Sequence, residues 1–185
     1  NVTGSGATYT VEVSGVQLRT NITEPQTVIA NIPAGAAVDS AGNGNLQATS
    51  DDNTVSFDNR GPRITVEQAA GQADSTRTGP VNFTVTFSEP VTGFDASKVT
   101  LGGTVGYVSQ SVTVTDTSGN QGRVFNVAVD GFSDAAPGNV VLSVAENVLT
   151  DALGNPNSKS TSTDNSVVFL PEQRSKDTPV PIPDN

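Results

Sequence analysis

Oxygen donors set the chemistry open to this 185-residue chain, which carries 19 Asp and Glu against 9 Lys and Arg and has no His, Cys, Met or Trp. Without His there is no Ser-His-Asp triad, histidine base or imidazole metal ligand. Without Cys there is no thiolate nucleophile, disulfide, Cys-ligated zinc or iron–sulfur cluster. A bound metal would be a hard ion such as calcium, which takes roughly six to eight oxygens from carboxylates, amides, backbone and water. The residues that suit such a site are Asp58, Asn59, Glu89 and Asp151. Asp151 has a second reading. With Gly154 and Asn155 it builds a turn, because Asp and Asn close Asx-turns and Gly and Asn tolerate positive φ. Glu89, which precedes Pro90, reads equally well as the end of a strand.

Other chemistries find less support. Paired carboxylates serve glycoside hydrolysis only in a cleft, and such clefts are lined with aromatic platforms. Aromatic residues are 5% of this chain, so no enzyme activity is expected. A glycan-binding module would need exposed aromatics, for which Tyr9, Tyr107 and Phe132 are the candidates. Tyr9 and Phe125, which occupy matching positions, read instead as core. Gly4-Ser5-Gly6, Gly102-Gly103 and Ser118-Gly119-Asn120 precede no helix, so they are turn glycines and not phosphate loops. Asn1-Val2-Thr3, Asn21-Ile22-Thr23 and Asn82-Phe83-Thr84 match the glycosylation sequon in a chain rich in Asn and Thr. The net charge of −10 repels nucleic acid and anionic lipid. No apolar run is long enough to span a membrane. A start at Asn1, with no Met, is expected of a processed form or a fragment.

The elements that would position these residues are strands. Apolar and polar residues alternate in 8–13, 82–87, 111–115 and 124–129, with Val and Thr prominent. Period two with one apolar face marks antiparallel strands lying on a core. Shorter candidates are 28–32, 53–57, 63–67, 97–101, 104–108, 139–144 and 165–169. Ala145–Leu153 is the one segment expected to take a helical turn. The reading is all-β, a sandwich or barrel.

The chain also repeats itself. Val38-Asp39-Ser40-Ala41-Gly42-Asn43 matches Thr150-Asp151-Ala152-Leu153-Gly154-Asn155, at a spacing of 151 − 39 = 112 residues. Asp52–Phe57 matches Asp164–Phe169 at the same spacing. Tyr9–Gly15 matches Phe125–Gly131 at 116, so the loop after Gly15 is four residues longer than its counterpart. The expected organisation is the C-terminal half of a repeat in 1–57, a linker at 58–62, a complete repeat in 63–170 and a Pro-rich, extended tail in 171–185. Half a repeat cannot close a core or cover its edges.

Two segments carry a family resemblance. Phe87-Ser88-Glu89-Pro90-Val91-Thr92-Gly93-Phe94, followed by Asp95–Leu101, resembles the second-strand signature of bacterial immunoglobulin-like domains. Asp39–Asn43 and Asp151–Asn155 resemble that family's Asp-x-x-Gly-Asn loop. The resemblance implies tandem immunoglobulin-like antiparallel β-sandwich repeats, the first incomplete, serving as a spacer or adhesin stalk at a bacterial cell surface. The partners so implied are neighbouring repeats of the parent protein.

A seven-strand layout of that kind puts the loops 89–95, 116–121 and 146–164 at the end where the chain enters, and 69–79 and 132–138 at the far end. Glu89 and Asp151 then fall near Asp58 and Asn59, and calcium bound there would stiffen the junction. The alternatives are a subunit of an extracellular filament or sheath, whose first domain is completed by strands of a neighbouring copy, and the glycan-binding module.

Overall fold

The computed structural model describes residues 1–17, 26–119 and 121–172. The sequon at Asn21, the turn residue Asn120 and positions 173–185 of the Pro-rich tail lie outside the described residues. The chain is all-β and divides into two compact units, Asn1–Asn59 and Arg60–Asn185.

The first unit holds two separate strand pairs. β1 (Val2–Ser5) and β2 (Thr8–Val11) form an antiparallel hairpin, and β3 (Gln26–Ile29) pairs antiparallel with β4 (Thr54–Phe57).

The second unit holds two four-stranded sheets. β5 (Ile64–Gln68), β7 (Val81–Phe87), β10 (Val124–Phe132) and β9 (Tyr107–Asp116) lie side by side in that order. The other sheet runs β6 (Ser75–Thr76), β12 (Ser166–Phe169), β11 (Gly138–Val144) and β8 (Val99–Gly103). Period-two patterning decides which side chains turn inward. Val81, Phe83, Val85 and Phe87 of β7 are buried, while Asn82, Thr84 and Thr86 between them are not. Phe125, Val127 and Val129 of β10, Val140, Leu142 and Val144 of β11, and Val167 and Phe169 of β12 join the same core. One core thus takes side chains from both sheets. Phe87, Phe94 and Phe125 sit edge to face in it, with ring centroids 4.9–5.7 Å apart.

Several expectations need correction. The sheets are not wholly antiparallel: β6 pairs parallel with β12, and Thr65 bridges parallel to Thr161. Tyr107 and Val108 of the candidate 104–108, and the whole of 111–115, belong to one ten-residue strand, β9, while residues 104–106 lie outside it. Residues 96–98 form a 3₁₀ turn capped by Asp95, whose Oδ1 accepts from the Ser97 amide at 2.8 Å, so the next strand starts only at Val99. Ala145–Leu153 forms no helix. Asn147 takes φ 60, and the amides of Val148 and Leu149 donate sideways to Asn157 and not back along a helix.

Within the second unit the loop layout matches the expectation except for the last residues of 146–164. The Ser88 amide donates to the Arg63 carbonyl, the Val91 amide to the Gly122 carbonyl, and the Ser158 amide to the Pro62 carbonyl. Loops 88–95 and 117–123 and residues 145–160 therefore gather where the chain enters the unit, while residues 161–165 run on beside β5, where the Gln68 amide donates to the Asp164 carbonyl. Pro62 is buried there, and Gly61 lies so close to the Pro156 carbonyl that a Cβ would overlap it. Residues 60–62, expected in a linker, are part of this packed end.

Candidate functional site

The two Asp-x-x-Gly-Asn loops are built alike. Asp151 Oδ1 accepts from the backbone amides of Leu153 and Asn155, each at 2.8 Å, and Oδ2 accepts from the Asn155 side-chain amide at 2.8 Å. Asp39 accepts from the amides of Ala41 (2.9 Å) and Asn43 (2.8 Å) and from the Asn43 side chain (3.0 Å). Gly154 and Gly42 turn the chain at φ 88 and 86, a region L side chains avoid. The hydrogen bond from the Asn43 side chain is the largest influence holding the Asp39 carboxyl below the usual carboxylate range. Burial pushes Asp151 upward, but the Asn155 side chain and the amides of Asn155, Leu153 and Gly154 outweigh it, and the carboxyl also lies low.

These bonds bear on calcium. Asp58 and Asn59 end the first unit, whereas Glu89 and Asp151 belong to the second. Glu89 stands in the 88–95 loop. Among the described residues, no three acidic side chains come together as a metal-ligating group. Three donors from its own loop already use most of the acceptor capacity of Asp151. The carboxylate fits turn-building better than ligation.

The sequence reading passed over the residue that anchors the long 145–165 loop. Asn157 is 2% exposed, the one buried polar residue among those described. Its Oδ1 accepts from Val148 N (2.9 Å) and Leu149 N (2.8 Å), and its Nδ2 donates to the carbonyls of Ala145 and Ser158, both at 2.8 Å. All four hydrogen-bonding positions of the amide are filled. Asn45 repeats the pattern: Oδ1 accepts from Ala37 N, and Nδ2 donates to Pro33 and Leu46 carbonyls. The signal was present, because Asn45 and Asn157 each follow the Gly-Asn pair by two residues.

The first unit carries an apolar face. Val11, Val13 and Val55 are 56%, 56% and 65% exposed, while Val127, Val129 and Val167, the matching residues of the second unit, are 0% exposed. Tyr9, expected in a core, is 60% exposed; its counterpart Phe125 is buried as expected. Among the described residues no third strand covers β2, β3 or β4. Val11, Val13, Val28, Val55 and Phe57 line a cleft of about 440 Å³ on this face.

The remaining glycan candidates are committed to packing. Tyr107 lies against Phe132 and Phe132 against Phe169, with centroids 5.5 and 4.5 Å apart. Burial raises the Tyr107 hydroxyl above its ordinary pKa.

No protein-family model, curated protein or solved structure matches this chain.

Proposed function

We propose that this chain is a spacer segment of a secreted or surface-exposed bacterial protein. In this reading residues 60–170 are one complete immunoglobulin-like domain and residues 1–59 the later half of another. Strand order supports the fold. In chain order the sheets read A-B-E-D and A′-G-F-C, where the immunoglobulin sandwich pairs A-B-E-D against C-F-G.

The observation that carries the repeat is hydrogen bonding at one constant offset. β3 pairs with β4 as Gln26↔Phe57 through Ile29↔Thr54, and β11 with β12 as Gly138↔Phe169 through Val141↔Ser166, every residue shifted by 138 − 26 = 112. The bridges Val38↔Gly44 and Thr150↔Pro156 keep that shift, as do the side-chain bonds of Asp39 and Asp151 and of Asn45 and Asn157.

Fold alone does not name a function. The spacer role is supported by which residues recur. Asp39/Asp151, Gly42/Gly154 and Asn45/Asn157 hold turns, and Val55/Val167 and Phe57/Phe169 are strand residues whose second-unit members point to the core. What recurs is scaffold, and a domain whose core is closed by its own two sheets adds length without needing a ligand. Stretching single molecules tests this. Residues 64–169 should release in one step of roughly 35 nm, from about 3.4 Å per extended residue. Thermal melts against a panel of glycans should leave the midpoint unmoved. A saturable rise of about 5 °C with any of them would replace the spacer with a binding module.

A further inference from the structure

We propose that the apolar face of the first unit is a docking surface for one kind of occupant: a polypeptide segment with the strand pattern of residues 60–112. This goes beyond the spacer reading, since it rests on strand register and exposed side chains and would hold for any function of the whole.

The second unit specifies the geometry. There β7 covers β10 with Val124↔Thr86 through Val129↔Val81, and β8 covers β11 with Val140↔Gly103 through Val144↔Val99. Shifted by the repeat spacings of 116 and 112, the covered positions become Thr8–Val13 and Val28–Ile32. Those segments carry the exposed side chains Tyr9, Val11, Val13, Ile29 and Ile32. An occupant laid antiparallel along both would meet the backbone of β2 and β3 on the sides away from β1 and β4. Its inward residues would alternate as Val81, Phe83, Val85 and Phe87 do, and would fill the cleft bounded by Val11, Val28 and Val55. This is strand addition, with register set by the ladder and affinity by the alternate side chains.

A second copy of the chain cannot be the general occupant. The described residues of each copy hold one set of strands β5–β8 and two halves that need such a set. In the second unit Ile64, Val66, Val81, Phe83 and Val85 are already 0–1% exposed. A copy that lent them would bare its own core, so exchange among copies always leaves one half uncovered.

The test adds a second copy of residues 60–112 directly before Asn1 of the full chain. Asn1 corresponds to position 113, so the period is kept across the joint. Hydrogen exchange is read at the amides of 8–13 and 28–32, with Val127 and Val140 as internal controls for the second unit. Protection at 8–13 and 28–32 should rise at least about 100-fold over the unextended chain. It should vanish when Phe83→Asp is made in the added copy alone, with the controls unchanged. The proposal is overturned if these amides exchange equally fast in both chains while the controls stay protected. It is equally overturned if the unextended chain protects them in a concentration-dependent dimer, which would assign the face to a second copy.

Discussion

Replacing Asn157 with Ala removes four hydrogen bonds and no charge. The side chain is 2% exposed and its partners, the amides of Val148 and Leu149 and the carbonyls of Ala145 and Ser158, lie 2.8–2.9 Å away. A net contribution of about 1 kcal/mol per bond gives a loss of about 4 kcal/mol, since water reaches the site poorly and the orphaned groups keep their desolvation cost. That is a large part of the roughly 5–15 kcal/mol that holds a domain together. In guanidinium chloride, with a slope of about 3 kcal/mol per molar, the midpoint of the second unit should fall by about 1–1.5 M with the slope unchanged. Asn157→Asp should be at least as damaging at neutral pH, because a charged carboxylate oxygen then faces the two carbonyls that Nδ2 served. Acid should partly relieve it by restoring a donor. Asn45→Ala, at the half-buried counterpart, should leave the second unit's midpoint where it was. A loss below about 1 kcal/mol for Asn157→Ala at constant slope would refute the account of this amide as the anchor of the 145–165 loop.

Other perturbations separate the two units and the two readings of the carboxylates. Phe125→Ala opens the Phe87–Phe94–Phe125 cluster and should cost about 3–5 kcal/mol, whereas Tyr9→Ala, at a residue 60% exposed, should leave the main unfolding transition within about 0.5 kcal/mol. The Thr163 amide, followed by the Asp164 amide and the Thr163 and Ser162 hydroxyls, holds the Glu67 carboxyl below its ordinary range despite the opposing pull of burial. Its stabilisation is therefore present above the unfolded pKa near 4.5 and lost as pH falls through the lower folded value. Melting midpoints should drop with acid over that window less steeply in Glu67→Gln than in the parent. Melts in millimolar calcium and in excess chelator at equal ionic strength should agree within about 1 °C, because the Asp151 oxygens already serve Leu153 and Asn155. A saturable rise with calcium, abolished by Asp151→Ala or Glu89→Ala, would instead make these residues ligands.

Strands with a strong apolar period were readable in advance. β7 and β10 alternate cleanly because each has one face on the core and the other toward solvent, whereas β11, with Val140-Val141-Leu142 in a row, was legible only as a short candidate at 139–144. β6 was not readable: Ser75 and Thr76 carry no apolar signal, and the strand exists because β12 offers it a parallel edge. β1 was missed because Gly4 breaks the alternation, at φ 140 and packed under Tyr9. Asp151 was recognised as able to turn the chain or to bind a metal, and its Asx bonds favour the turn. Asn157 escaped notice because a polar residue in a loop looks solvated until the loop is seen folded back over the core.

The sequence by itself determined the all-β class, the faces of the longer strands and the 112-residue recurrence. These are local or periodic properties, written in side-chain alternation and turn residues. Tertiary structure alone decided which strands share a sheet, that one pair runs parallel, and that Asn157 is buried. It also decided the opposite fates of Val127, fully buried, and Val11, 56% exposed, in matching strands. Burial depends on what a distant segment lays over a residue. Among the described residues, the strands β5–β8 that cover Val127 have no counterpart over Val11.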